Sequence, residues 1–99
     1  MELEGKRVLV AGTGISGIGA ANLLTEAGIE TVLYDGNEAL NKEESKQRVK
    51  HPVEVILGEL TDEMIEAFDL MVLSPGISVN APFVQKFKEH KIPVWSEIE

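Results

Sequence analysis

A doubly wound α/β sheet of five parallel strands is the fold this sequence predicts, and three observations predict it. Short unbroken apolar runs, such as Val8-Leu9-Val10-Ala11 and Leu70-Met71-Val72-Leu73, suit strands covered on both faces. These runs are separated by helices or crossovers, which implies a parallel sheet. The third observation is a glycine-rich turn at the first junction of strand and helix, Gly12-Thr13-Gly14-Ile15-Ser16-Gly17.

From Arg7 to Leu24 the chain passes from strand to turn to helix without a break. Gly12, Gly14 and Gly17 fall at G-x-G-x-x-G spacing. The first permits a tight turn, the second lets a diphosphate approach the backbone, and the third lets the helix pack closely on the sheet. The helix begins with free N–H groups and the positive end of its dipole, so an anion there meets several donors. Ala21 and Leu24 continue an inward face, and Gly28 stands where a left-handed cap would end the helix. Ile29, Val32 and Leu33 supply a second strand ending at Tyr34-Asp35, with the acid 18 residues after Gly17. An acid about 20 residues on reaches a ribose hydroxyl in dinucleotide-binding units. A glycine-rich turn alone is often only a turn; the completed strand-turn-helix-strand context makes this one a Rossmann-like nucleotide site.

Beyond Asp35 a polar run extends to Lys50, with Leu40 and Val49 its only large aliphatic residues. It predicts an exposed, mobile segment holding at most a short surface helix. Val53, Val55, Ile56 and Leu57 form a third strand stopped by Gly58. Thr61 caps a brief helix, with Asp62 and Glu63 at its positive end and Leu60 stapled onto Ile65. Leu70 to Leu73 is the fourth strand, ended by Ser74-Pro75-Gly76. Asn80 is placed to cap the next helix, Pro82 sits in its first turn, and Phe83, Val84 and Phe87 form its inner face. Ile92 to Trp95 is a fifth strand whose proline favours a strand start or a sheet edge. Ser96-Glu-Ile-Glu99 matches a capping box, as if a longer protein's next helix began there.

Right-handed connections place the strands as 3-2-1-4-5. The loops after strands 1, 2 and 4 then converge on the crevice where such folds bind ligands. They hold Gly12 to Gly17, Asp35-Gly36-Asn37, and Ser74-Pro75-Gly76-Ile77.

Composition narrows the choice of partner. Ninety-nine residues make one domain, spanning 1–99, and a formal charge of −8 with scattered lysines and arginines argues against nucleic acid. No cysteine is present, so disulfides and thiolate chemistry are excluded. The charged start, Met1-Glu-Leu-Glu-Gly-Lys6, and the lack of any membrane-length apolar stretch point to the cytoplasm and away from a membrane. His51 and His90 read as isolated surface residues. The acid pairs Glu43-Glu44 and Asp62-Glu63 suit a solvated face and a helix start better than an acid–base pair, so neither catalytic residues nor metal ligands are expected.

Taken together, Gly12 to Gly17, Tyr34-Asp35, Leu73-Ser-Pro-Gly-Ile77 and Ser96-Glu-Ile-Glu99 resemble the amino-terminal domain of the Mur ligases, most closely those that add D-glutamate. The resemblance covers the whole chain, and Ser-Pro-Gly-Ile after a fourth strand is its most specific part. It implies the first domain of a three-domain ligase, binding the UDP part of UDP-N-acetylmuramoyl-L-alanine and not a nicotinamide cofactor. The diphosphate would lie on Gly14 to Gly17 and the uracil between Ile15 and Gly76, with polar contacts from Asp35, Gly36 and Asn37. Family members often carry a threonine and an arginine after the aspartate, where this chain has Gly36 and Asn37. The implied reaction is ATP-dependent amide bond formation in peptidoglycan precursor synthesis. ATP, Mg and D-glutamate would be held by the rest of the parent protein, since no G-x-x-x-x-G-K-[ST] loop occurs here. An NAD-binding dehydrogenase domain explains the glycines and the acid equally well but not Ser-Pro-Gly-Ile; a free-standing nucleotide-binding module is the third reading.

Overall fold

Strands β1 (Arg7–Ala11), β2 (Glu30–Asp35), β3 (Glu54–Leu57), β4 (Leu70–Leu73) and β5 (Val94–Trp95) form one sheet of order β3-β2-β1-β4-β5 in a computed structural model. Every neighbouring pair is parallel, as the sequence predicts. Residues 5–74, 77 and 80–95 are described. The expected capping box at Ser96 to Glu99 and the Pro75-Gly76 turn therefore lie outside the described residues.

Side chains alternate across a strand, so each apolar run feeds two cores. Val8, Val10, Leu33, Leu70 and Val72 pack with Ile18, Ala20 and Ala21 of α1 (Ile15–Glu26). On the other face Leu9, Val32, Met71 and Leu73 meet Ile65 of α3 (Asp62–Glu66) and Val84 and Phe87 of α4 (Pro82–Glu89). Burying a large apolar side chain contributes about 1.5–3 kcal/mol, so these two layers hold the sheet.

The helix signals are realised with one shift. Thr61 accepts from the Met64 N–H and caps α3, and Leu60 joins Ile65 in the same core. Gly28 takes φ +80° after α1, the left-handed turn predicted for it. At α4 the N-cap is Ala81, not Asn80, and no side chain bonds the cap position. Pro82 at the first helical position fixes φ for the helix, and the N–H it lacks has no partner within a helix at that position in any case. The fifth strand is shorter than Ile92 to Trp95 because Pro93 cannot donate to the ladder; its carbonyl still accepts from the Met71 N–H at 2.9 Å.

The polar segment holds one short helix, α2 (Lys42–Gln47), capped by the Asn41 side chain. Apolar content understates how it is anchored. Val49 and Ser45 are buried, and the Lys50 N–H donates to Asn22 Oδ1 of α1 at 2.8 Å. His90 is likewise not isolated: its ring nitrogens lie 3.4 Å from Asp62 and 3.7 Å from Glu66, because α4 ends beside α3.

Helix α1 lies against β1 at a distance set by glycine. A Cβ on Gly17 would sit 1.8 Å from the Gly12 carbonyl oxygen, and Gly12 itself has φ +109° with Ser74 Oγ 2.5 Å from where its Cβ would be. Gly17→Ala is expected to lower unfolding stability by about 1–3 kcal/mol, the usual cost of overpacking. Urea titration followed by circular dichroism reads this directly. An unchanged midpoint would show that the helix does not need this close approach.

Candidate functional site

Three strand ends build one cleft of about 520 Å³ at the carboxyl edge of the sheet. The β1 turn contributes Gly12 to Ser16, β2 contributes Tyr34, Asp35 and Gly36, and the segment after β4 contributes Ser74 and Ile77. The convergence follows from topology, since β1 lies between β2 and β4 and the chain must leave all three strands on the same side. Gly17 stands behind the turn, under the Gly12 carbonyl, and Asn37 lies outside the lining.

Of the three motif glycines, the protein's own packing accounts for two. Gly12 and Gly17 are required by conformation and by contact. Gly14 is not: its φ of −75° suits any residue, and among the described residues a Cβ there would meet nothing within 4 Å. The space above Gly14 is open to the cleft. It also caps α1, which has no side-chain cap and no acid in its first turn, so the first N–H groups remain available to an anion. Beside them Ile15 is 86% exposed, a large aliphatic side chain at the rim of a polar turn.

Asp35 is held in place from two sides. Thr13 Oγ1 donates to its Oδ2 at 3.0 Å, and the Asn37 N–H donates to its Oδ1 at 3.0 Å. Each oxygen keeps a lone pair for a further donor. Ser74 Oγ is buried with no hydrogen-bond partner among the described residues, under the turn and close to Gly12. These groups can accept or donate to a polar ligand, while Ile15, Ile77 and Phe83 give the cleft its apolar surface.

The sequence does not single out two of the lining residues for the site. Tyr34 reads as the end of a strand and Phe83 as the inner face of a helix. Their rings pack at 5.0 Å between centroids and form the wall nearest Asp35. A smaller hollow of about 320 Å³ continues past them towards Glu38, Glu59 and Lys86. A wider cavity of about 650 Å³ lies at the opposite ends of β2 and β3, beside Glu30 and Glu54. Both carboxylates there are already paired with Arg7, and no strand carboxyl end opens into it.

Residues 6–96 match the family described as Mur ligase MurD-like, N-terminal domain. The chain belongs to this family. Among its relatives this MurD-like domain is 44% identical to the "UDP-N-acetylmuramoylalanine--D-glutamate ligase" of Lachnospira eligens, over 100% of this chain and 22% of that protein. The enzyme of the same name from Lachnoclostridium phytofermentans is 42% identical over the same shares. That of Enterococcus hirae is 43% identical over 95% of this chain and 21% of the relative. The domain thus spans about a fifth of the length of these curated relatives. Among its described residues no group of His, Cys, Asp or Glu could hold a metal ion, and no helix is long and apolar enough to cross a membrane.

Tyr34, the sole tyrosine of the domain, reports on the cleft. Its hydroxyl donates to the Gly58 carbonyl. Burial raises its pKa above the ordinary value, and the Asp35 and Glu59 carboxylates raise it further. The folded state therefore keeps the proton when the unfolded chain loses it. Stability is full below the ordinary tyrosine pKa, about 10, and falls as pH rises from there through the folded value. Ultraviolet titration should place the Tyr34 midpoint above the ordinary value in the native protein. Asp35→Asn should lower it partway, because burial remains; an unmoved midpoint would mean that the Asp35 charge does not reach the ring.

Proposed function

We propose that this cleft binds the UDP part of UDP-N-acetylmuramoyl-L-alanine, and that the domain is the first of three in a cytoplasmic ligase that adds D-glutamate during peptidoglycan precursor synthesis. The observation that carries the reading is Gly14. Its φ does not demand glycine and no contact among the described residues does, and the space a side chain would take lies over the start of α1, which carries no side-chain cap. A ligand that needs that space and those N–H donors is an anion, and a diphosphate fits the motif.

The remaining contacts suit uridine. The exposed Ile15 offers one face to a planar base, and Ser74 and Ile77 line the same cleft. Asp35, fixed by Thr13 and Asn37, accepts from a uracil N–H or a ribose hydroxyl. Gly36 leaves the rim beside Asp35 uncrowded. Pro75 and Gly76 belong to the proposed site by sequence, although they lie outside the described residues.

The chemistry of the parent enzyme would be ATP-dependent: a substrate carboxylate activated as an acyl phosphate, then attacked by the amino group of D-glutamate. The residues of this chain do not suit ATP or Mg. It has no G-x-x-x-x-G-K-[ST] loop and no metal-ligand cluster among its described residues, so no catalytic step is assigned to them. Their work is to hold one end of the substrate so that the other end is presented to the parent's remaining domains. Cell shape and division would depend on the product of that reaction.

Calorimetric titration of the 99-residue chain with UDP and NAD tests the proposal. UDP should bind, and NAD should bind no better than a nonspecific anion. Saturation by NAD without competition from UDP would replace this reading with the dehydrogenase one. Gly14→Val should abolish UDP binding while leaving the fold largely intact, because a Cβ there meets nothing within 4 Å among the described residues. Asp35→Ala should weaken UDP by roughly 1.5–3 kcal/mol, the range for hydrogen bonds to charged groups, or about tenfold and more in affinity. Normal UDP binding by both variants would remove the cleft from consideration.

A further inference from the structure

Arg48 is the C-cap of α2, thirty-five positions from Thr13, and its Nη1 donates to the Thr13 carbonyl at 2.9 Å. Thr13 directly precedes the open Gly14. A guanidinium is thereby fixed against the glycine turn by a residue that no turn motif contains. It matters because of what the cleft lacks: among its lining residues only Asp35 carries a charge, and that charge is negative. The chain as a whole has a formal charge of −8. An anion arriving at α1 therefore meets backbone donors and a partial dipole, but no full positive charge from the lining itself.

Resting on the diphosphate reading above, we propose that Arg48 is a phosphate-binding residue of this site, supplied from α2. One of its five N–H groups is used on the Thr13 carbonyl, and the others have no protein acceptor among the described residues. The bond to Thr13 restricts the long side chain before any ligand arrives, so less rotamer freedom is lost on binding. A guanidinium so placed offers planar paired donors to phosphate oxygens. The same contact ties the polar segment to the turn. That segment consequently belongs to the binding site and not to a peripheral loop.

A simple brace predicts something different, and the contrast supplies the test. UDP, pyrophosphate and uridine are titrated against the native chain and against Arg48→Met and Arg48→Lys, with circular dichroism and melting to confirm folding. Arg48→Met should weaken UDP and pyrophosphate about tenfold, as expected for loss of a charged contact, and leave uridine unchanged. Arg48→Lys should retain most of the affinity because it keeps the charge. The dependence of UDP binding on salt should also become shallower in Arg48→Met. If Arg48→Met weakens uridine as much as UDP, Arg48 is a brace and the assignment fails. If UDP and pyrophosphate bind Arg48→Met as they bind the native chain, the assignment fails while the UDP reading stands. If the native chain binds pyrophosphate but gains nothing from uridine, the UDP reading fails, and Arg48 is still judged by pyrophosphate. A native chain that binds neither phosphate overturns both.

Discussion

The approach of α1 to the Gly12 carbonyl is the contact on which the rest depends. With any side chain at position 17 the first turn of the helix would collide with the backbone of the loop before it. The helix axis would then move outwards, and the layer formed by Ile18, Ala20 and Ala21 on Val8 and Val10 would loosen with it. The same displacement would carry the N–H groups of Ile15 and Ser16 away from the strand ends. One steric condition thus sets both the packing of a core layer and the position of the anion-facing donors. Ser74 reinforces it from the other side, since its buried hydroxyl fills the space that a side chain at Gly12 would need.

Most of the fold was legible because its strands are buried on both faces. Continuous apolar runs such as Leu70 to Leu73, closed off by turn residues, suit strands covered on both faces, and their order follows from crossover handedness. The site was legible where it rests on local conformation, as at Gly12 and Gly17. Tyr34 and Phe83 were not, because an aromatic residue at a strand end and one on a helix face become a cleft wall only when α4 is docked. Arg48 left no signal at all. Its partner is a backbone carbonyl far away in sequence, and carbonyls carry no residue identity. The Asn80 cap failed for a local reason: Pro82 starts the helix by geometry, one position later than a side-chain acceptor would.

A short relay connects elements that are separate in sequence. Arg48 from α2 bonds the carbonyl of Thr13, Thr13 bonds the Asp35 carboxylate with its hydroxyl, and Asn37 closes the other oxygen. Charge-assisted hydrogen bonds of this kind contribute roughly 1.5–3 kcal/mol when fully satisfied. Their larger effect here is geometric. Asp35 is kept in one orientation before a ligand arrives, and the Thr13 carbonyl is kept in its place in the turn. A threonine in the middle of a glycine motif is in this way a positioning residue, joining the anion-facing turn to the acid at the end of the next strand.

The proposed function carries one electrostatic tension: a chain of formal charge −8 would hold an anion beside a carboxylate. Distance decides it. Surface charges beyond about 8 Å are largely screened at physiological ionic strength, so most of the acidic surface contributes little at the turn. At contact range the balance is local, with the helix start on one side and Asp35 on the other. Thr13 and Asn37 already donate to that carboxylate, so part of its charge is taken up by two hydrogen bonds. Acid and anion site can then coexist a few residues apart, each facing a different part of one ligand: the acid towards N–H and O–H donors, the turn towards oxygen acceptors. In the proposed site, a ligand with both kinds of group, separated by the length of a ribose, would satisfy the cleft in a way that neither a free phosphate nor a free base would.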